Sequence, residues 1–132
     1  EHSSIPIAGG EAMTLVEEYA DLLQNGKIHF VQPDLGRVGG ISGGLAIEAL
    51  AKEAGARAVP HAFGTGILLS ASANWAAVSD QPLTEYTRAP SPLAQNLAQH
   101  EMVFNDGELH LSDAPGLAVS LNEDVVNQYR IV

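Results

Sequence analysis

Three ionisable side chains, Glu11, Asp34 and His61, each follow a short apolar run, and a glycine-bearing turn stands beside each of them. Ile5-Pro6-Ile7-Ala8-Gly9-Gly10 leads to Glu11, Ile28-His29-Phe30-Val31-Gln32-Pro33 to Asp34, and Ala56-Arg57-Ala58-Val59-Pro60 to His61. An apolar run that ends in a polar group and a glycine-rich loop is how a strand hands over to a helix at the carboxyl edge of a sheet. That edge is where α/β folds do chemistry. Two acids and an imidazole on one rim could serve an anionic intermediate. Each also has a plainer reading: Glu11 as an acid favoured at a helix start, Asp34 as a turn residue, His61 as a packing histidine.

The intervening elements decide whether those tips share an edge. Thr14-Leu15-Val16-Glu17 has capping-box spacing. Leu15, Tyr19, Leu22 and Leu23 after it fall on one helical face, and Asn25-Gly26 ends that helix. Alternation over 28–34 points Ile28, Phe30, Gln32 and Asp34 one way and His29 the other. A second helix is predicted from Ser42 to Gly55, with Leu45, Ala46, Ala49 and Leu50 inward. A third is predicted over Ile67–Val78, so apolar that it must be buried. Leu83-Thr84-Glu85-Tyr86 reads as a fourth strand, again close to a carboxylate. Beyond Pro90 a short helix is expected over 93–101, then a hairpin about Asn105-Asp106-Gly107. A turn at Ala114-Pro115-Gly116-Leu117 leads into Ala118–Leu121, and Asn122 caps a last helix to Tyr129.

Composition bounds the function. The chain has 132 residues, enough for one domain, and its 45% hydrophobic content is that of a globular protein. A net charge of −10 without clustered Lys or Arg excludes nucleic-acid binding. It fits an enzyme that collects carboxylates around a cation, and an acidic surface alone explains it equally well. No Cys is present, so disulfide and thiolate chemistry are excluded. No run is apolar enough to span a membrane and no basic-then-apolar leader opens the chain, so a cytoplasmic protein is expected. The glycines at 36–44 and 64–66 lack the spacing of either nucleotide-binding loop. His2, His29, His100 and His110 lack a partner pattern and are expected at the surface or in packing, and Trp75 in the core.

Four β-then-α units with right-handed crossovers put their helices on one side of a parallel sheet. Parallel sheets are covered on both faces, and a closed (β/α) barrel solves this by turning the bare face inward. Half a barrel cannot. The expected architecture is therefore α/β, the C-terminal half of a TIM-like (β/α) barrel over residues 1–92 with a hairpin-and-helix tail over 93–132. Such a chain reads as cut from something longer, or as one that covers its bare face with another copy, so a homo-oligomer is expected.

The runs Pro6-Ile7-Ala8-Gly9-Gly10-Glu11, Gln32-Pro33-Asp34 through Gly39-Gly40-Ile41, Val59-Pro60-His61, and Asp106-Gly107 followed by Pro115-Gly116-Leu117 resemble the enolase superfamily. More closely, they are similar to the C-terminal half of its mandelate racemase and muconate lactonizing subgroup, from the fifth barrel strand to the tail. The resemblance implies that Glu11 is one carboxylate ligand of Mg²⁺, and that Asp34 and His61 form an Asp–His dyad on the sixth and seventh strands. It further implies that Glu85 on the eighth strand, its carboxyl kept protonated by neighbouring negative charge, donates a hydrogen bond to the substrate carboxylate. Arg37 reads either as a contact to that carboxylate or as the partner of a rim acid. Proton abstraction beside a carboxylate creates a dianionic enediolate, which needs a pre-placed cation and donors. A His oriented by an Asp can exchange the proton near neutral pH.

The same resemblance implies a sugar-acid substrate and an acid-sugar dehydratase, with racemisation or epimerisation of a 2-hydroxy acid as the alternative. The other two metal carboxylates, a Lys pair and a capping domain would lie before Glu1. One carboxylate alone is a poor Mg²⁺ site. The chain by itself is therefore expected to be inactive, and an inactive half-barrel that self-associates is the reading from another class.

Overall fold

In a computed structural model that describes residues 4–131, β1 (Ala8–Gly9), β2 (Phe30–Val31) and β3 (Arg57–Ala58) form a parallel sheet in chain order. Helix α1 (Val16–Asn25) crosses from β1 to β2, α2 (Gly40–Glu53) from β2 to β3, and α3 (Gly66–Ala76) comes after β3. Backbone pairing outruns these short strands. Gln32 N–H donates to Gly9 O, Val59 N–H to Val31 O, and His61 N–H to Pro33 O, at 2.8–3.0 Å. The ladder thus carries on to a parallel bridge between Asp34 and His61.

Register sorts the two faces. Gly9, Val31 and Ala58 are neighbours across the sheet, with Val31 fully buried and Ala58 packed on a core of Tyr19, Leu35, Ile47, Ala51 and Trp75. The other row holds an exposed Ala8 and half-buried Phe30 and Arg57. Ala8 is open as expected of the bare face of an α/β half-barrel, whereas Arg57 is partly covered, its guanidinium donating to Gln81 O. Ile28 departs from the predicted alternation and packs on the helix-side core. His29 Nδ1 accepts from the Ile7 N–H at 3.0 Å. His2 lies outside the described residues.

Helix α1 starts one residue later than its capping-box spacing predicts. Leu15 is the N-cap, so Glu18 and not Glu17 reaches back, accepting from Thr14 and Leu15 N–H at 2.8 Å each. Those backbone donors hold its carboxyl below the ordinary carboxylate range. Leu15 itself is exposed. Tyr19 is fully buried, and its hydroxyl donates to Gly10 O at 2.7 Å. Burial, then the negative charges of Glu18 and Asp34, push the phenol from 10.0 up to about 12. The folded state therefore keeps this proton longer than the unfolded chain. The stability it contributes is complete below pH 10 and is lost as pH rises through about 12. Urea denaturation of Tyr19→Phe is expected to show a loss of about 1 kcal/mol at neutral pH and a shallower decline across that alkaline window.

Helix α2 buries a different face from the predicted one. Leu45, Ala46 and Ala49 are exposed and Leu50 half-buried, whereas Gly44, Ile47, Glu48 and Ala51 face the core. The phase is set by Trp75. A Cβ on Gly44 would lie 3.1 Å from its indole and 2.7 Å from Leu35 Cδ2, so a larger residue there would have to push both side chains aside. Trp75 Nε1 donates to the buried Glu48 at 3.3 Å. Hydrophobicity alone assigns glycine and glutamate outward, which is why it points to the wrong face. Helix α3 is buried along most of its length, as its composition predicts.

No strand spans 83–86 among the described residues, contrary to the predicted fourth strand; side chains hold the segment instead. Residues 93–101 divide into α4 (Pro92–Asn96) and β4 (Ala98–His100), because β4 pairs antiparallel with β7 (Val119–Leu121). That pairing is long-range and has no local signature. The hairpin forms as predicted from β5 (Val103–Asn105) and β6 (Glu108–His110). Asp106 and Gly107, at φ 48° and 83°, supply the two left-handed residues that a tight hairpin turn needs. Asn122 Oδ1 accepts from Val125 N–H at the start of α5 (Glu123–Tyr129). A second core of Ala62, Leu69, Ala73 and Met102, joined by Tyr86 and Leu109, ties this tail to α3. Among the described residues, no helix is long and apolar enough to cross a membrane.

Candidate active site

The ladder that runs on to Asp34 and His61 brings their side chains together. Asp34 is 6% exposed, and its Oδ2 lies 3.0 Å from His61 Nδ1. Its other oxygen accepts from Gly36 N–H at 2.8 Å, and its carbonyl accepts from Arg37 and Val38 N–H. The loop thus folds back around its own carboxylate. It can do so because the chain then climbs into α2 through Gly43, where a Cβ would sit 1.8 Å from Val38 O.

A carboxylate only accepts, so in the neutral imidazole the Asp34 contact places the proton on Nδ1 and the lone pair on Nε2. That nitrogen faces Glu11 Oε2 at 3.8 Å and Glu85 Oε2 at 4.0 Å. Glu85 is held from behind, its Oε2 accepting from Ala62 N–H at 2.8 Å. Glu11, Asp34, His61 and Glu85, all singled out in the sequence, therefore meet around one imidazole. Arg37 lies beside them, Nε 3.8 Å from Asp34 Oδ2 and its side chain 55% exposed. It is paired with a rim acid. One participant left no side-chain signal, since Ala62 contributes only its backbone N–H; Phe63, whose aromatic ring suits a pocket wall, stands 6.5 Å from the His61 ring. Gly36 was findable, since Asp-x-Gly is how a side chain bonds its own backbone two residues on.

The arrangement can move a proton. One imidazole nitrogen is anchored and the other is presented to a space bounded by carboxylates. Glu11, 63% exposed, offers a hard oxygen donor of the kind Mg²⁺ takes. It offers only one. Among the described residues, no group of three or more His, Asp or Glu is placed to hold an ion.

Known proteins carry the same fold. The enolase C-terminal domain-like family matches residues 1–125. The L-talarate/galactarate dehydratase of Salmonella typhimurium is 36% identical over 118 residues, which are 89% of this chain and 28% of that protein. The 3,6-anhydro-D-galactonate cycloisomerase of Zobellia galactanivorans superimposes with a TM-score of 0.91 at 31% identity, covering 96% of this chain and 36% of that one. An enolase from Pantoea ananatis, whose structure holds D-gluconate and Mg, gives 0.84 at 26% identity over 98% and 32%. The chain spans about a third of the length of the curated relatives it matches. With its row of β/α units forming part of a TIM-like barrel, the chain belongs to the enolase C-terminal domain-like family.

Proposed function

We propose that these residues furnish the proton-transfer half of a Mg²⁺-dependent enzyme that abstracts the proton α to the carboxylate of a sugar acid, and that the reaction is an acid-sugar dehydration in the cytoplasm. The observation that carries this reading is the 3.0 Å Asp34–His61 contact, with Nε2 left facing Glu11 and Glu85. The dehydratase among the relatives supports the substrate class. In this reading residues 1–92 are the barrel half and 93–132 the tail.

His61 Nε2 takes the α-proton, or returns one to the departing hydroxyl, while Asp34 keeps Nδ1–H oriented and stabilises the imidazolium. Glu85, held by Ala62 N–H, faces the substrate carboxylate. Arg37 adds positive charge at the rim beside Asp34. Glu11 would give one carboxylate to Mg²⁺, which would supply positive charge to offset that developing on the substrate carboxylate. The remaining ligands come from a companion segment, attached or separate. An isomerase outcome, as in the cycloisomerase named above or a racemase, shares the first proton abstraction and differs in the fate of the resulting intermediate.

Incubation in D₂O with Mg²⁺ and D-gluconate or galactarate tests this by NMR. The 132-residue chain alone is expected to exchange no α-proton. The same residues joined to a family segment carrying the other carboxylates are expected to exchange it. Exchange by the chain alone would refute the division of labour, and no exchange by the joined protein on any sugar acid would refute the reaction. The exposed Ala8 and half-open Phe30 on one face of the sheet support a second property, self-association of the isolated chain. Light scattering that gives a monomer mass would exclude it.

A further inference from the structure

Glu85 reaches His61 from a segment to which no strand is assigned. Strand pairing is the usual device for holding a barrel-tip side chain in place, and here something else must do it. The contacts along the segment alternate. Glu85 meets Ala62 N–H on one side. On the other, the Tyr86 ring stacks on Phe104 with centroids 4.8 Å apart and planes 4° from parallel, and the Arg88 guanidinium lies 5.9 Å from the same Phe104 centroid. One aromatic ring thus receives two alternate residues of the segment, and the residue before them points to the imidazole.

Phe104 is itself well placed to act as a fixed platform. It sits on β5, whose register with β6 is pinned by the two-residue turn at Asp106-Gly107. Leu109 on β6 joins Tyr86 in the second core. A cleft of about 410 Å³ opens beside the stack, lined in part by Ala73, Leu83, Tyr86, Phe104 and Leu109. Without the Phe104 ring, Tyr86 has room to swing into that space and carry Glu85 off Ala62. Phe104 is 43% exposed, and its ring meets both Tyr86 and Arg88.

We infer that Phe104 of the tail hairpin is a positioning residue for Glu85, acting through Tyr86. Its importance for the reaction rests on the reading of Glu85 given above, but its test does not.

The test tracks the Ala62 amide of the 132-residue chain by ¹H–¹⁵N NMR and hydrogen exchange. Glu85→Ala sets the signal for a lost contact. Phe104→Ala is expected to move the Ala62 resonance the same way and to speed its exchange by about tenfold or more, with amides of β2 and α2 unchanged. Phe104→Tyr, which keeps the stack, is expected to restore both. Ala62 exchange within about twofold of the parent in Phe104→Ala, with the hairpin intact, would overturn the inference. Should Phe104→Ala lose the Asn105 and Glu108 cross-peaks, Phe104→Leu is read by the same two limits, since it keeps an apolar residue on β5 and removes the stack. The readout is a backbone amide, so a negative result here leaves the proposed reaction standing, and failure of that reaction leaves this result standing.

Discussion

His61→Asn, in a protein competent for the proposed reaction, is expected to lower α-proton exchange by about 10²–10⁴-fold, the range that a positioned general base supplies. Asp34→Asn should fall nearly as far for a different reason. An amide placed at 3.0 Å from Nδ1 can donate to it, which drives the imidazole proton to Nε2 and removes the lone pair facing substrate. Because the two residues act as one unit, the double variant is expected to be no slower than His61→Asn alone. The loss should fall on kcat, since neither side chain is asked to bind the ground state. Near-parental turnover in Asp34→Asn would remove the dyad from the mechanism. Additive losses would show instead that the two residues contribute independently.

Trp75→Ala is expected to have the largest effect on stability, about 3–5 kcal/mol by urea denaturation. The indole is 2% exposed and fills the space between α2 and α3 that Gly44 leaves open. Its Nε1 is also a hydrogen-bond donor to Glu48, which is 8% exposed, so truncation both opens a cavity and deprives a buried carboxylate of that donor. Trp75→Phe separates the two effects, keeping most of the apolar volume and losing the donor. About 1–3 kcal/mol is expected for it. Lys52 lies 3.7 Å from the same Glu48 and 3.2 Å from Asp80, and the hydrogen bond to Asp80, then the charges of Asp80 and Glu48, raise its pKa. Its ammonium is in water, however, so removing it should cost far less than removing the indole. A loss in Trp75→Ala no larger than that in Lys52→Met would mean that the α2–α3 contact is not central to the fold.

The strand tips were legible because they arise from local chemistry. An apolar run, a polar residue and a glycine-rich loop occupy about ten residues, and parallel pairing of successive units then forces Glu11, Asp34 and His61 to one edge. The hairpin turn at Asp106-Gly107 and the Asn122 cap were readable for the same reason, since each depends on residues a few positions apart. The face of α2 was not. Its orientation depends on Trp75, on another helix, which prefers a glycine beneath its ring and a glutamate at its edge.

The pairing of β4 with β7 likewise joins residues about twenty positions apart and left no mark on either. Glu85 lies between these cases: the sequence pointed to the residue, while its route to His61 came from Ala62 N–H and from the Phe104 ring under Tyr86. By itself, then, the sequence determined which side chains stand at the sheet edge, because backbone pairing is local and periodic. Tertiary structure alone decided how they are held there, because packing partners are chosen by shape and hydrogen-bond need across long stretches of chain.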